Sequence, residues 1–343
     1  MATLSGKYSD LGVEARNGVM LAVKEINCSG KTNTKKLKVV YKNAEADPHV
    51  AIAKLRELKA SGINIVIGPT LSTLAVPIVK WANENGVILL SPTVSTSQLT
   101  GKKDNFFRII PDTSTKAKKL GKYVKNSFHV SKICAFLDIG NEEYTLDFLN
   151  SFLSVFDLKP NELECLIKYN FEHSTVANFT GLHLIMNHAP DLVVIATPAI
   201  DAAIITQLVR NFNPNAIICA NNWAKTEEFI LNVGPSMNRI FFEDIDPCVV
   251  SEAISEFKKK YFKSYGQLPS FAAMQGYDSV KVLYRALKIS QENNEPLRKT
   301  LTEIRDFPGI LSPISIDEYG DCKRPTYICT IENGQFIPLS RQK

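Results

Sequence analysis

Apolar side chains recur along the chain in two alternating rhythms. Ala15, Val19, Ala22 and Ile26 fall at helical spacing, which predicts an amphipathic helix over residues 12–27. A strand is expected over 37–41. Ala51, Leu55 and Leu58 mark the next helix, and Ser61 and Gly62 end it. Residues 63–67 form a short uninterrupted apolar run, the pattern of a parallel strand buried on both faces. A helix running to Asn85 and a strand over 87–90 complete a doubly wound α/β pattern.

Near Phe107 the rhythm restarts. Helices are predicted over 116–127 and 142–156, and strands over 133–137, 163–169, 192–196, 216–219 and 239–242, with helices between the middle strands. Long helical patterns then return over 250–262 and 270–289. The tail reads as strands at 314–316, 326–331 and 335–339. A chain of 343 residues with this pattern fits two α/β lobes rather than one.

Charge narrows the function classes. Forty basic and 35 acidic side chains leave a net charge of +5, too weak an excess to point to nucleic acid. The densest basic stretch is Lys116, Lys118, Lys119, Lys122 and Lys125, which on a helix reads as one solvated side. Seven cysteines cannot all pair. Cys134, Cys219 and Cys329 lie inside apolar runs and read as buried thiols. Neither cysteine nor histidine shows metal-ligand spacing, so no metal or other cofactor is expected. Asn27-Cys28-Ser29 and Asn178-Phe179-Thr180 fit the glycosylation pattern.

No signal peptide or membrane span is evident, since the longest apolar stretch, 192–209, is interrupted by Pro198 and Asp201. The abrupt opening at Met1 reads as a start that has lost an upstream strand and leader. Enzyme signatures such as Gly-x-Ser-x-Gly, His-Glu-x-x-His and Gly-x-Gly-x-x-Gly are missing, and Gly30-Lys31-Thr32 lacks the upstream glycine of a phosphate loop. An enzyme is not expected.

In open parallel sheets, ligands bind beyond the carboxyl ends of the strands. The loop at 68–73 follows the strand at 63–67 and leads into a helix start, whose free N–H groups suit an anion; it carries Ser72 and Thr73. The loop at 91–97 follows the next strand and carries Thr93, Val94 and Ser95. Both are rich in hydroxyls and poor in charge, which fits neutral hydrogen-bond capture of a carboxylate. The competing reading is that these hydroxyls only cap helices and close turns. In the second lobe the corresponding loops offer Tyr144 and Trp223 as apolar walls and Asp201 and Asn222 as polar contacts.

With these residues in view, the chain resembles the leucine/isoleucine/valine-type periplasmic solute-binding proteins of ABC transporters, the type I periplasmic binding protein fold. The resemblance rests on the opening run 4–12, on Ala15-Arg16-Asn17-Gly18 and on 22–27. It continues through the Ile67-Gly68 and Ser91-Pro92 loops, Phe107-Arg108, Gly276-Tyr277-Asp278 and 317–321, all in order over essentially the whole chain. It implies two doubly wound lobes joined by three crossovers, 1–112 with 249–320 and 113–248 with 321–343. It also implies an inter-lobe cleft for an amino acid or related small carboxylate. Ser72 falls where the family binds the ligand carboxylate. Thr93 falls where a backbone carbonyl receives the amino group, and Ser95 where a hydroxyl and N–H contact both. Tyr144 matches a second-lobe aromatic, and Leu11 stands where some members have an aromatic at the cleft mouth. Asn222, beside Trp223, occupies a place where amino-acid binders often carry an acid. The implied partners are a small-molecule ligand and an ABC transporter membrane permease, with no nucleic acid and a monomeric state. The implied location is the periplasm or extracellular surface. The alternatives are the ligand-sensing ectodomain of a membrane receptor, or a binder of aromatic or plain carboxylates.

Overall fold

The computed structural model describes residues 1–28, 36–170, 188–249 and 251–339. Asn178, His173, His183 and the Gly30-Lys31-Thr32 run lie outside them, as does Ser29 of the other glycosylation pattern. The chain divides into two compact units, Met1–Asp112 with Val250–Pro325 and Thr113–Val249 with Thr326–Lys343, and passes from one to the other three times.

The first stretch carries α1 (Ser9–Cys28), α2 (Pro48–Ala60), β1 (Ile65–Ile67), α3 (Ser72–Glu84), β2 (Ile88–Ser91) and β3 (Phe106–Arg108). The second unit follows with α4 (Thr113–Ser127), β4 (Ile133–Asp138), α5 (Glu142–Leu153), β5 (Cys165–Tyr169), β6 (Leu192–Ala196), α6 (Ala199–Phe212), β7 (Ile217–Ala220), α7 (Glu227–Val233) and β8 (Ile240–Asp244). The chain returns to the first unit with α8 (Glu252–Tyr265), α9 (Phe271–Asn293), α10 (Leu297–Thr302), β9 (Ser315–Ile316) and β10 (Cys322–Lys323). It ends in the second with β11 (Tyr327–Glu332) and β12 (Gln335–Pro338). Residues 321–325, expected in the second lobe, belong to the first unit. Asp321 is bonded there to Arg108, and the buried Arg324 guanidinium donates to Ser312 and to the Ile109 carbonyl.

In the first unit β1, β2 and β3 form a parallel sheet in that order. Helices α1 and α9 pack backbone to backbone. A Cβ on Gly18 would stand 1.8 Å from the Ala273 carbonyl oxygen, and one on Gly276 would stand 2.2 Å from that of Ala15. Only glycine permits this approach. The strand expected over 37–41 does not form a ladder. The Asn27 side chain takes both the N–H and the carbonyl of Leu37, at 2.8 and 2.9 Å, and satisfies groups that a neighbouring strand would otherwise pair. A single bridge joins Ala2 to Asn43, and the Met1 amine donates to the Ile67 carbonyl at 2.8 Å.

The second unit is built on a seven-stranded sheet, ordered β12-β11-β8-β7-β6-β4-β5. The strands β8, β7, β6, β4 and β5 run parallel, and β11 and β12 add an antiparallel edge. Phe136, Ile195, Ile218 and Phe242 fill the core on one face, and Ala135, Val194, Ile217 and Phe241 fill it on the other. Burial on both faces accounts for the unbroken apolar runs of these strands.

Two expectations from the sequence are corrected here. Cys134 is not a free thiol: it lies opposite Cys165 in the β4–β5 register and is disulfide-bonded to it. Lys116 is not on a solvated face. It is fully buried with Ala117, Leu120 and Val124, while Lys118, Lys119, Lys122 and Lys125 are exposed. The spacing 116, 120, 124 places it on the inward stripe of α4.

Candidate ligand-binding site

In the first unit, β1 ends at Ile67 and the chain enters α3 at Ser72, while β2 ends at Ser91. The Ser91 hydroxyl ties the two loops together. It donates to the Pro69 carbonyl at 2.7 Å and accepts from the Val94 and Thr93 N–H groups at 2.9 and 3.3 Å. The Thr93 hydroxyl adds a second tie, donating to the Thr70 carbonyl at 2.7 Å. Ser72, Thr73, Thr93, Val94 and Ser95 therefore lie along one carboxyl edge of the parallel sheet.

The N-cap of α3 is Leu71, with no side-chain cap hydrogen bond, so Ser72 is the first helical residue and does not cap the helix. Leu71 supplies no capping side chain, and the buried Ser72 residue opens the helix. A helix start of this kind has the chemistry that suits an oxyanion. Leu11 is buried in the first turn of α1.

A buried ion pair holds the second loop from below. Fully buried Arg108 donates to the Thr96 carbonyl at 3.0 Å, to the Thr100 hydroxyl at 2.7 Å and to Asp321 at 2.6 Å. The other Asp321 oxygen accepts from the Gly101 N–H at 2.7 Å. The fork geometry of guanidinium fixes both the loop and its carboxylate.

In the second unit, β7 delivers Asn222 and Trp223, and the first turn of α5 delivers Tyr144. The Tyr144 hydroxyl and the Lys116 ammonium both donate to Asn222 Oδ1, each at 3.0 Å. The Asn222 N–H donates to Glu243 Oε1 at 3.4 Å, and Lys116 stands 3.5 Å from Glu243 Oε2. Tyr144 and Trp223 meet edge to face with centroids 6.1 Å apart. Burial pushes the Glu243 carboxyl up to about 7 despite the opposing pull of Lys116, and burial also raises the Tyr144 phenol. Asp201 is buried in the first turn of α6, which follows β6, the strand beside β7.

Sequence reasoning missed Lys116 and Glu243. The visible signal for Glu243 was the pair Glu243-Asp244 closing an otherwise apolar strand. A cavity of about 300 Å³ in the first unit is lined by aliphatic groups including Val19, Val39, Ile65 and Val280, and by none of the ten predicted site residues. Most of its lining is apolar, with Arg16, Lys38, Tyr41 and Lys42 also at its wall.

The fold is that of a solute-binding protein, and comparison with known proteins agrees. Residues 1–335 match the periplasmic binding protein family, and the chain belongs to it. It is thus an extracytoplasmic binding protein, not an enzyme, and among the described residues no helix is long and apolar enough to cross a membrane. The Leu/Ile/Val-binding protein homolog 1 of Brucella abortus is 23% identical over 339 residues, covering 95% of this chain and 87% of that protein. The branched-chain amino acid transporter substrate binding protein LivJ of Streptococcus pneumoniae, solved with isoleucine, superposes with a TM-score of 0.83 at 22% identity over 98% of this chain and 97% of its own. A solute binding protein of an ABC transporter from R. palustris, solved with benzoate, superposes at 0.82 with 18% identity over 98% and 93%.

Proposed function

We propose that the chain captures a small carboxylate, first of all an amino acid with an apolar side chain, for the membrane permease of an ABC importer, and that it does so as a monomer. The observation that carries this reading is the start of α3: Leu71 supplies no capping side chain, and buried Ser72 opens the helix on the edge shared with Thr93 and Ser95. In this reading Ser72, Thr73 and Ser95 receive the carboxylate, and the Thr93 carbonyl receives the ammonium. Leu11 and Val94 pack around the ligand. Within the second unit, Tyr144, Asp201, Asn222 and Trp223 are the residues suited to contact a ligand. The names of the Brucella and Streptococcus relatives support the amino acid and the importer. A receptor ectodomain would need the same ligand chemistry.

A second reading, an aromatic or plain carboxylate without an ammonium, has its own support. Asn222 Oδ1 already accepts from Lys116 and Tyr144, which uses both of its lone pairs. It has none left for a ligand ammonium. Titration calorimetry with leucine, isoleucine, valine and benzoate tests the class: heat from at least one is expected, and silence from all four rejects the carboxylate receptor.

A further inference from the structure

We infer that Cys248 and Cys329 form a second disulfide, a covalent staple across the place where the chain leaves the second unit and returns to it. Cys248 is the last residue but one before the unit's first stretch ends at Val249, and Cys329 lies three residues into the stretch that starts at Thr326. Their sulfurs are 2.6 Å apart, too close for two unbonded sulfur atoms, and stand 3.6 and 3.7 Å from the same carbonyl oxygen, that of Asp246.

The surroundings hold both cysteines in place. Cys329 sits on β11 opposite Phe242 of β8, so its backbone is fixed by the sheet. The segment that carries Cys248 is anchored by Asp246, which accepts from the Cys248 N–H at 2.8 Å and from the Lys225 ammonium at 3.1 Å. Lys225 also donates to Asp244 at 2.8 Å. The contact with Cys248 and burial push the Cys329 thiol up against the opposing pull of Lys225.

Exposure sets the order of the chemistry. Cys248 is half-buried and Cys329 is buried. The Cys248 thiolate therefore attacks first, on a sulfur of a small-molecule disulfide such as oxidised glutathione. It forms a mixed disulfide and expels one thiolate. Cys329 then attacks the Cys248 sulfur, closing the protein disulfide and expelling the second thiol. Two electrons and two protons pass from the cysteines to the oxidant. The closed loop spans 81 residues of sequence, a length at which a cross-link restricts the unfolded chain strongly. Extracytoplasmic proteins keep such bonds.

The test counts thiols. The chain is equilibrated with oxidised glutathione in the presence of excess reduced glutathione, which releases mixed disulfides from unpaired cysteines, then denatured, alkylated without reduction and weighed intact. Of the seven cysteines, three should take the label: Cys28, Cys219 and Cys322. Label found on both Cys248 and Cys329 by peptide mapping would mean that they stay reduced and would overturn the inference. Cys248→Ser should label at four sites and melt several degrees lower than the oxidised parent. A non-reducing peptide map showing Cys248 joined to any cysteine other than Cys329 would equally reject it.

Discussion

Lys116 and Glu243 face each other at 3.5 Å with both side chains completely buried, one on the inward stripe of α4 and the other at the end of β8. The pair stands directly behind Asn222, which Lys116 also bonds at 3.0 Å. It therefore sets the electrostatics of the second unit's polar cluster.

Removing one partner strands the other. Breaking a buried pair costs about 3–5 kcal/mol because an uncompensated charge remains. Lys116→Met should therefore destabilise the chain by about 3 kcal/mol at pH 8, read by urea unfolding. The loss should shrink at pH 6, where Glu243 can take up a proton. Equal losses at both pH values would show that Glu243 is not the group left behind.

The pH dependence of the parent chain has a definite sign. Burial holds Glu243 at about 7 in the folded chain against an ordinary 4.5, and Asp278 at about 6 against 3.8. Between those limits the folded chain binds more protons than the unfolded one. These two groups therefore add stability that is present at low pH and is lost as pH rises through their folded values. Glu243→Gln should flatten the part of the slope between about 4.5 and 7 and leave the part due to Asp278. A slope that is unchanged in the variant removes Glu243 from this account.

The order of helices and strands was legible along most of the chain because strands buried on both faces, such as β6, are apolar from end to end, and their helices keep one apolar stripe. What failed was partnership. Lys116 is one of five lysines in ten residues, and its charge gives no hint that Glu243, more than a hundred residues away, faces it. The run 37–41 has the composition of a strand, but a strand also needs a neighbour, and the Asn27 side chain takes that place at Leu37. Cys134 looks like any buried thiol until the register sets Cys165 beside it. At the candidate site, Ser72 and Thr93 were readable from their loop positions. The ties from Ser91 and Arg108 that hold those loops were not.

Arg108 and Asp321 give a test of that support. The pair is buried, at side-chain exposures of 0% and 12%. Asp321→Ala should cost about 3 kcal/mol in urea unfolding, since it leaves a buried guanidinium unpaired. It should also speed hydrogen exchange at Gly101, whose N–H loses its acceptor. Glu318→Ala, which removes only the exposed pair with Lys103 at 65% and 67% exposure, should cost less than about 1 kcal/mol. Similar losses from the two variants would refute the anchoring role.

Ser72→Ala separates binding from folding. Leu71, not Ser72, is the N-cap of α3, so the change removes no cap and should barely move the melting temperature. A hydrogen bond to a charged group contributes about 1.5–3 kcal/mol, so carboxylate affinity should fall roughly tenfold to a hundredfold. Unchanged affinity by calorimetry would take Ser72 out of the site.

The head group of the ligand turns on whether an ammonium can be accommodated. A buried ammonium without an acceptor is costly. In the second unit, Asn222 Oδ1 has both lone pairs in use, and Glu243 faces Lys116. The acceptor that the amino-acid reading supplies is the Thr93 carbonyl, on a loop fixed by the Thr93 hydroxyl's bond to Thr70. If that carbonyl suffices, leucine, valine and phenylalanine should each stabilise the chain, and their deaminated acids should bind less tightly. At a hundredfold excess over its dissociation constant a true ligand adds about 2.7 kcal/mol to the unfolding free energy, which a thermal-shift panel resolves. Stabilisation by the deaminated acids alone would reverse the order of the two readings and assign Tyr144 and Trp223 to an aromatic or aliphatic carboxylate. Stabilisation by amines that lack a carboxylate would reject both readings, because the start of α3 offers donors and not acceptors.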